Sequence, residues 1–497
     1  MTAHTLQTQQ CGLSDDFFFG DVCLLGLGVT GRAVCAFFEA HPDSFKTLTV
    51  YGAGEAEKAA FESQNLSDKI AILPDQTEVS GVFDLAVVSP GFAPHHTLYV
   101  SAQKCSRELI GEPELAWRVS PSRWVGITGT NGKTTTTTLV ADLLNAGGIK
   151  ARAIGNIGTP CIEAVCNRAQ DEYLVTELSS YQLYSMVDFA PDAAILLAIT
   201  PDHLSWHGSH EAYIQAKRKL LDKLGIMSPL VIDAAEETTR MLLRTYRDEG
   251  KRTIGVGTAD GIYSSMVARC GAQEAAYVAP DSHILTVVLD GVTHELCHTA
   301  DMNLRGAHNY TNALAAATVA LALGVAPKKV KQTLIDFKPP EHRFELCGEV
   351  EGIRFYNDSK ATNTDSTIKA VEAFDDDEDR RVILLLGGRD KGTDLADLVA
   401  AASRSCRDVI CFGEAGARFY EAFSSCDAFT TSLVSCFADA CQAAWDRACE
   451  GDVILLSPAC ASFDEFEGFE ARGAAFKKFA AAPHTAAQAL LRENAQK

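Results

Sequence analysis

The sequence predicts an α/β fold in which parallel sheets are covered by helices on both faces. Short runs rich in valine, isoleucine and leucine recur along the chain, and each is followed by a turn containing glycine and then a helical stretch. Strands that are apolar throughout and alternate with helices are typical of such sheets. A chain of 497 residues corresponds to about three domains of average size.

Two breaks in this pattern suggest where the domains end. A helical stretch containing a proline precedes a new strand at Gly111–Arg123, and Pro339 with Pro340 interrupts a later helical pattern. Prolines at such a point force extended backbone. We therefore predict three domains, at residues 1–111, 112–339 and 340–497.

Two segments depart from the alternation of strands and helices. Residues 253–299 are rich in turns, and we expect them to be β-rich with a hairpin near the sequence LDGVTHEL. The acidic run Phe374–Arg381 is most simply a solvated loop.

The charge balance excludes some classes of partner. Lysine and arginine total 44 against 65 aspartates and glutamates, which gives a net charge of −21. Nucleic-acid surfaces and surfaces that bind anionic lipid normally carry a basic excess. With 47% hydrophobic and 22% charged residues, the composition is that of a globular protein. We expect small-molecule partners, no nucleic acid, no membrane, and a monomer.

The cysteines and the N-terminal segment indicate the compartment. The 16 cysteines form no CxxC pair, and the first residues contain neither a basic nor an apolar signal region. Apolar runs such as Ala193–Ile199 are far shorter than the roughly 18 residues that span a bilayer. We therefore expect a cytoplasmic protein whose cysteines are reduced and buried.

The first glycine-rich loop predicts a nucleotide diphosphate site. The segment GLGVTG at residues 26–31 lies between an apolar strand and a helix, where backbone amides can bind phosphate. A site for NAD also needs an acidic residue at the end of the second strand, but Tyr51 and Gly52 stand there. This favours another nucleotide diphosphate over NAD or a purely structural turn. The segment SPGF at residues 89–92 follows another strand at the same edge of the sheet.

The second glycine-rich loop predicts an ATP site. A strand at Trp124–Ile127 leads into TGTNGKTT and then into a helix. Lys133 is suited to neutralising phosphate charge, and the Thr134 hydroxyl is suited to holding Mg²⁺. The loop is a variant, because Ile127 stands at the first glycine position of the usual motif.

Three further polar residues lie near this loop in the predicted sheet. Glu177 ends one strand and His203 follows another, so both belong to the edge that carries the phosphate loop. A carboxylate suits Mg²⁺, whereas a histidine is a less usual partner, and Asp202 could be the ligand instead of His203. Lys217 lies in a predicted helix, where a lysine is most simply a surface residue.

The motifs taken together resemble those of the Mur ligases of peptidoglycan precursor synthesis. They occur in the family's order from about Val22 to Phe476, and they are ITGTNGKTT, GNIGTP, YLVTELSSYQL, TPDHLSWHGSHEAYIQAK, GAHNYTNALAA, EHRFE, YNDSKATN, GGRDKG and SPACASFDEFEGFEARG. Within the family, SPACASFDEF followed by FEARG is most similar to the members that add D-glutamate.

The resemblance implies an architecture and a reaction. The fold would comprise an N-terminal Rossmann-like domain, a central ATPase-like domain with a parallel sheet, and a C-terminal Rossmann-like domain. ATP would phosphorylate the carboxylate of UDP-N-acetylmuramoyl-L-alanine, and the amine of D-glutamate would then attack the acyl phosphate. Two Mg²⁺ ions would offset the repulsion between anions.

The resemblance also implies roles for single residues. Catalysis would involve Lys133, His203 and Lys217, with Lys217 as an N-carbamate. The metal ligands would be Thr134, Glu177, His203 and Lys217. ATP would be bound by Gly129, Thr130, Asn131, Gly132, Lys133, Thr134, Thr135, Asn309, Asn312, Arg343 and Asp358. The UDP substrate would contact Gly28, Val29, Thr30, Ser89, Gly91 and Asn156. The D-glutamate pocket would contain Lys360, Thr362, Lys391, Ser462 and Phe469.

One departure and three alternatives accompany this interpretation. Family members often carry Asp-Thr-Arg after the second strand, where this chain has Tyr51, Gly52 and Ala53, so the uridine contacts there differ. A Mur ligase with another amino-acid specificity is the nearest alternative. A nucleotide-dependent oxidoreductase and a non-catalytic nucleotide-binding homologue are the others.

Overall fold

The computed structural model describes residues 17–62, 67–257, 274–374, 381–390 and 392–484. These residues form three β-sheets with surrounding helices, as the α/β prediction requires. The chain divides into two compact units. Within the described residues, the first unit runs to Asp301 and includes Thr311–Asp336, and the second comprises Met302–Tyr310 and the residues from Phe337 onward.

The first sheet lies in the first unit and is parallel, with the described strands in the order β3-β2-β1-β4-β5. Its strands are β1 (Asp21–Leu25), β2 (Thr47–Tyr51), β3 (Ile70–Ile72), β4 (Phe83–Val88) and β5 (Ser106–Gly111). Its helices are α1 (Val29–Ala40), α2 (Glu55–Glu62) and α3 (Thr97–Cys105). The strand order reverses beside β1, the position at which open α/β sheets bind ligands.

The second sheet also belongs to the first unit, and its described strands follow the order β14-β13-β12-β11-β10-β9-β6-β8-β7. These strands are β6 (Trp124–Thr128), β7 (Ala151–Gly155), β8 (Tyr173–Glu177), β9 (Ala193–Leu196), β10 (Leu230–Asp233), β11 (Thr253–Gly257), β12 (Ala275–Val278), β13 (Ile284–Leu289) and β14 (Val292–His298). The helices of this part of the chain are α4 (Glu112–Val119), α5 (Lys133–Ala146), α6 (Cys161–Cys166), α7 (Ser180–Tyr184), α8 (Leu204–His207), α9 (His210–Asp222), α10 (Glu237–Asp248), α11 (Ala307–Ala322) and α12 (Pro327–Asp336).

The predicted hairpin is present at the edge of this sheet. Strands β13 and β14 pair antiparallel, with Leu289 opposite Val292. The two residues between them, Asp290 and Gly291, have φ angles of 49° and 76°. Positive φ at both positions is what a two-residue hairpin of type I′ requires, and an Asp-Gly pair is typical of it.

Helix α4 connects the first two sheets through buried carboxylates. Glu114 is fully buried and accepts hydrogen bonds from the backbone amides of Asp188 and Phe189, each at 3.0 Å. Glu112 is also buried and accepts from the amide of Ile162 at 2.6 Å. Burial raises the pKa of Glu112 to about 7. Each carboxylate satisfies amides that would otherwise be unpaired in the interior, which fixes α4 against the elements that follow it.

The third sheet lies in the second unit, with the described strands in the order β15-β16-β20-β17-β18-β19. They are β15 (Glu345–Val350), β16 (Ile353–Asn357), β17 (Val382–Gly387), β18 (Cys406–Phe412), β19 (Thr430–Leu433) and β20 (Val453–Leu456). The helices are α13 (Thr364–Glu372), α14 (Ala396–Ser405), α15 (Gly416–Phe423), α16 (Phe437–Arg447) and α17 (Phe469–Ala481). The antiparallel pair β15–β16 was not predicted. Its sequence signal is the turn at Glu351 and Gly352, both with positive φ.

Some expectations concern particular residue types. The cysteines within the described residues are all free thiols, and most are buried or half-buried, but Cys449 is exposed. Most of the acidic run at 374–381, residues 375–380, lies outside the described residues. In the described chain, no helix combines the length and the apolarity needed to cross a bilayer.

Candidate active site

The second glycine-rich loop connects β6 to α5 in the geometry of a phosphate-binding loop. Gly129 and Gly132 have φ angles of +152° and +79°, which residues with a side chain rarely adopt. The Lys133 ammonium folds back over the loop and donates to the carbonyl oxygens of Gly129 at 2.9 Å and Thr130 at 2.7 Å. Backbone amides at the start of a helix, with an ammonium group beside them, are suited to binding an anion.

Asn312 on helix α11 packs against the same loop. It is 5% exposed, and a Cβ atom added to Gly132 would overlap its side-chain oxygen. Asn309 lies on the same helix, is 7% exposed, and donates to the carbonyl oxygen of Arg305 at 2.8 Å. The structure thus places the Asn312 side chain against the phosphate loop.

Glu177 is held at the end of β8 by two polar neighbours. Its carboxylate is buried and accepts a hydrogen bond from the Thr134 hydroxyl at 2.7 Å and one from the Asn156 amide at 2.8 Å. The strand β8 lies beside β6, so the carboxylate and the phosphate loop share one edge of the sheet. A hydroxyl and a carboxylate oxygen in contact next to an anion site are ligands of the kind that Mg²⁺ prefers.

Lys217 is buried, so its interpretation as a surface residue is wrong. Its side chain on helix α9 is 1% exposed, and its amine donates to the carbonyl oxygen of Gly129 at 2.7 Å. The amine also lies 4.6 Å from the centre of the Tyr213 ring. Burial and the nearby charge of Lys133 lower the pKa of Lys217 well below its usual range. A buried amine with a lowered pKa is neutral for a larger share of the time and is therefore nucleophilic.

His203 lies before α8 in a constrained conformation. Its φ of 55° is left-handed, and its backbone amide donates to the Asp202 carboxylate at 2.8 Å. Its ring nitrogen Nδ1 lies 2.7 Å from the hydroxyl of Tyr181. Burial, helped by Asp202, raises the pKa of Tyr181 to about 12, so this residue is a neutral hydroxyl near neutral pH.

The candidate cation ligands at this edge of the sheet are of mixed type. In the described parts of the chain, no group of three or more histidine, cysteine, aspartate or glutamate side chains is arranged to hold a metal ion. The Thr134 hydroxyl beside Glu177 is a further oxygen donor at this edge of the sheet.

The first glycine-rich loop leads into helix α1 beside β1. Gly28 precedes the helix, and Val29 at its start is 63% exposed. The Ser89 hydroxyl is buried near this loop and has no hydrogen-bond partner in the described structure. Together with Thr30 and Gly91, these are five of the six residues predicted to contact the UDP substrate, and the sixth, Asn156, lies beside Glu177.

The tyrosine that replaces the family's aspartate faces the core. Tyr51 is 2% exposed, and its hydroxyl donates to the carbonyl oxygen of Ser80 at 3.0 Å. Gly52 has a φ of +72°, and a Cβ there would lie 2.6 Å from the Phe92 ring. An aromatic ring therefore lies over a glycine at the end of this strand.

The second unit carries its own cluster of polar residues. Asp358 is buried and accepts from the Ser457 hydroxyl at 2.8 Å and from the Phe344 amide at 3.1 Å. Burial raises the pKa of Asp358 to about 7, although the bond from Ser457 opposes the shift. Arg343, next in the chain to Phe344, is half-buried and also opposes the shift through its charge.

Most of the described residues predicted to bind D-glutamate lie in the loops after β16 and β20, and Phe469 is the first residue of α17. The Lys360 ammonium lies 3.7 Å from the centre of the Phe469 ring. Ser462 is 2% exposed, and its hydroxyl has no hydrogen-bond partner among the described residues. Thr362 is half-buried in the first of these loops, and Lys391 lies outside the described residues.

Arg472 is a residue of this region that the sequence analysis did not single out. It is 1% exposed and donates to the carbonyl oxygens of Ser359 at 2.8 Å and Cys460 at 3.0 Å. Burial lowers its pKa to about 10. The arginine thereby joins the two loops that carry Lys360 and Ser462. Its presence in the FEARG motif was the sequence signal that could have identified it.

Comparisons with known proteins decide the family. A family model described as the Mur ligase middle domain matches residues 127–320, and one described as the Mur ligase glutamate ligase domain matches residues 342–460. A relative from Alkaliphilus metalliredigens is 37% identical over 406 residues, covering 82% of this chain and 85% of the relative. A relative from Alkaliphilus oremlandii is 36% identical, covering 93% of this chain and 98% of the relative. Both carry the name UDP-N-acetylmuramoylalanine–D-glutamate ligase.

The chain belongs to the Mur ligase family. This confirms the resemblance predicted from its motifs and makes the protein a ligase. Solved structures of other Mur ligases share the fold. The MurF ligase from Thermotoga maritima in complex with ADP has a TM-score of 0.54 at 15% identity, over 89% of this chain and 92% of that chain. The UDP-N-acetylmuramate–alanine ligase from the same organism has a TM-score of 0.52 at 18% identity, over 88% and 95%.

We expect Gly132→Ala to weaken nucleotide binding by this Mur ligase more than tenfold. The added methyl group would be forced against Asn312 in the phosphate loop, besides the cost of about 1 kcal/mol for an alanine at positive φ. The measurement is titration with a fluorescent ATP analogue.

The matched control is Gly148→Ala. Gly148 has nearly the same φ, +82°, but no described atom lies within 4 Å of its added Cβ. This variant should bind the analogue like the unchanged protein. Equal losses in both variants would show that the contact with Asn312 does not matter.

Proposed function

We propose that this Mur ligase uses ATP to join D-glutamate to UDP-N-acetylmuramoyl-L-alanine. Two contacts at one edge of the central sheet carry the proposal: Thr134 donates to Glu177, and Lys133 and Lys217 both donate to the carbonyl oxygen of Gly129. The names of relatives that match over more than four-fifths of the chain support the choice of substrates. The finer expectations from the sequence, a cytoplasmic monomer with the three predicted domains, belong to this proposal.

The first step needs groups that let the substrate carboxylate approach the negatively charged γ-phosphate of ATP. A free carboxylate is a poor electrophile, so it must take the γ-phosphoryl group of ATP before an amine can attack it. Lys133 neutralises phosphate charge, and the amides at the start of α5 bind the phosphates. Thr134 and Glu177 would hold Mg²⁺, which supplies further neutralisation of the phosphates when bound.

Lys217 and His203 serve the second cation in this proposal. An N-carbamate on Lys217 would turn the amine into an oxygen ligand, and the low pKa of the buried amine favours its reaction with CO₂. In that step the amine nitrogen forms a bond to the carbon of CO₂ and loses one proton. His203 would supply a ring nitrogen to the same cation.

The amino-acid site is assigned to the second unit. D-Glutamate carries two carboxylates, which need cations and neutral donors in a buried site. Lys360 and Lys391 would supply charge, Thr362 and Ser462 would donate hydroxyl hydrogens, and Phe469 would cover the carbon chain. The buried Ser462 hydroxyl supports this assignment, because a hydroxyl buried without a partner is costly until a ligand satisfies it. The family resemblance also assigns ATP contacts to Asn309, Arg343 and Asp358.

The UDP group is assigned to the first sheet. Gly28, Val29 and Thr30 would present backbone amides to the diphosphate at the start of α1. Ser89 and Gly91 would line the same edge, and Asn156 would contact the sugar-peptide end. An oxidoreductase is disfavoured because no acidic side chain stands at the end of β2, where Tyr51 faces the core.

The proposal predicts phosphate release that depends on D-glutamate. Purified protein should release phosphate from ATP with Mg²⁺ and UDP-N-acetylmuramoyl-L-alanine only when D-glutamate is present, and not with L-glutamate, L-alanine, L-lysine or diaminopimelate. Turnover with a different amino acid alone would instead establish the alternative, a Mur ligase of another specificity.

Lys217 gives a separate prediction. With ¹³C-labelled bicarbonate, the protein should show a carbamate carbon signal that is absent from Lys217→Ala, and that variant should lose activity without recovery by bicarbonate. Lys219→Ala is a matched control, because Lys219 lies two residues further along the same helix but outside the phosphate-loop contacts described above. Unchanged turnover of Lys217→Ala would contradict the carbamate role.

A further inference from the structure

Two oxygen atoms lie near the same nitrogen of the His203 ring, and one of them is at hydrogen-bond distance. Its Nδ1 lies 2.7 Å from the Tyr181 hydroxyl and 3.6 Å from a carboxylate oxygen of Asp202. The two nitrogens of an imidazole ring point in widely different directions. The bond to Tyr181 therefore directs Nε2 away from helix α7, on which Tyr181 lies.

The position of Tyr181 is itself fixed from several sides. Its ring packs against that of Trp206, with 4.7 Å between the centres, and is stacked on that of His207 at 5.8 Å. Helix α7 begins with a capping box in which Ser179 and Gln182 satisfy each other's backbone amides. The hydroxyl is therefore presented to His203 by a rigid turn that directly follows the strand carrying Glu177.

Chemistry then selects the tautomer of the ring. A neutral imidazole has one N–H, and a carboxylate can only accept a hydrogen bond. The Tyr181 hydroxyl can donate or accept, whereas the nearby Asp202 oxygen can only accept, so the favourable arrangement has the proton on Nδ1, which donates to Tyr181. The lone pair then lies on Nε2. Histidine ligands of metals are commonly arranged in this way, with the second nitrogen donating to a neighbouring oxygen.

We propose that Tyr181 is a positioning residue that, together with Asp202, holds His203 as the Nδ1-protonated tautomer and so presents the Nε2 lone pair to a divalent cation. The tautomer is inferred from the contacts of His203 with Tyr181 and Asp202. The identity of the Nε2 partner as a cation is inferred from the proposed ligase function.

Nuclear magnetic resonance of the full-length protein labelled with ¹⁵N-histidine tests the tautomer without any turnover. The signals of His203 are assigned by their loss in His203→Asn. In the unchanged protein Nδ1 should carry the proton. In Tyr181→Phe the ring should shift towards the Nε2-protonated form that free histidine prefers. In Tyr184→Phe, whose ring lies edge-on to Trp206 at 5.4 Å, the tautomer should be unchanged.

Mn²⁺ in the presence of a non-hydrolysable ATP analogue tests the partner of Nε2. It should broaden the His203 signals of the unchanged protein, and Tyr181→Phe should need about 10- to 100-fold more Mn²⁺ for the same broadening. An Nε2-protonated His203 in the unchanged protein, or an unaltered tautomer in Tyr181→Phe, would overturn the proposal. If His203 has the expected tautomer but Mn²⁺ does not broaden its signals, only the claim that Nε2 binds a cation is overturned. If the protein lacks ligase activity, the proposed function fails but the claim about the tautomer does not.

Discussion

Two lysine side chains donate to one carbonyl oxygen, that of Gly129, and this contact determines the chemistry of the central site. Lys133 reaches it from the start of α5 and Lys217 from α9. Two ammonium groups this close repel each other, and the repulsion is strongest where water is excluded. Lys217 is the buried member, and its burial together with the nearby charge of Lys133 lowers its pKa, while Lys133 is half-buried in the loop. One lysine is thereby suited to binding phosphate and the other to reacting as a neutral amine.

The parallel sheet makes this arrangement possible. Strand β6 lies between β8 and β9, so the phosphate loop, Glu177 and the segment leading to His203 leave the sheet at one edge. Groups far apart in the sequence meet there, with the nitrogen of Lys217 in contact with a carbonyl 88 residues earlier. The buried ends of these strands keep water away from the groups, which strengthens their hydrogen bonds and charges.

Much of this could be predicted from the sequence, because strands, loops and ligand residues follow from local patterns. The phosphate loop, Glu177 and the hairpin at Asp290 and Gly291 carry short-range signals of this kind. The burial of Lys217 had a signal that was overlooked. It lies on the stripe of helix α9 that also contains Tyr213, Leu220 and Leu221, all buried. The contact of Tyr181 with His203 and the role of Arg472 depend on how separate segments pack, which no local pattern specifies.

The claim that Lys133 binds phosphate while Lys217 reacts as a neutral amine is tested most directly by comparing ATP binding with turnover in Lys133→Met and Lys217→Met. Removing the charged hydrogen-bond donor Lys133 should cost about 1.5–3 kcal/mol, or roughly 10- to 100-fold in ATP affinity by calorimetry. Lys217→Met should bind ATP within about threefold of the unchanged protein, a difference below 1 kcal/mol, yet lose turnover. Equal losses of ATP affinity in the two variants would contradict the division of roles at the Gly129 carbonyl.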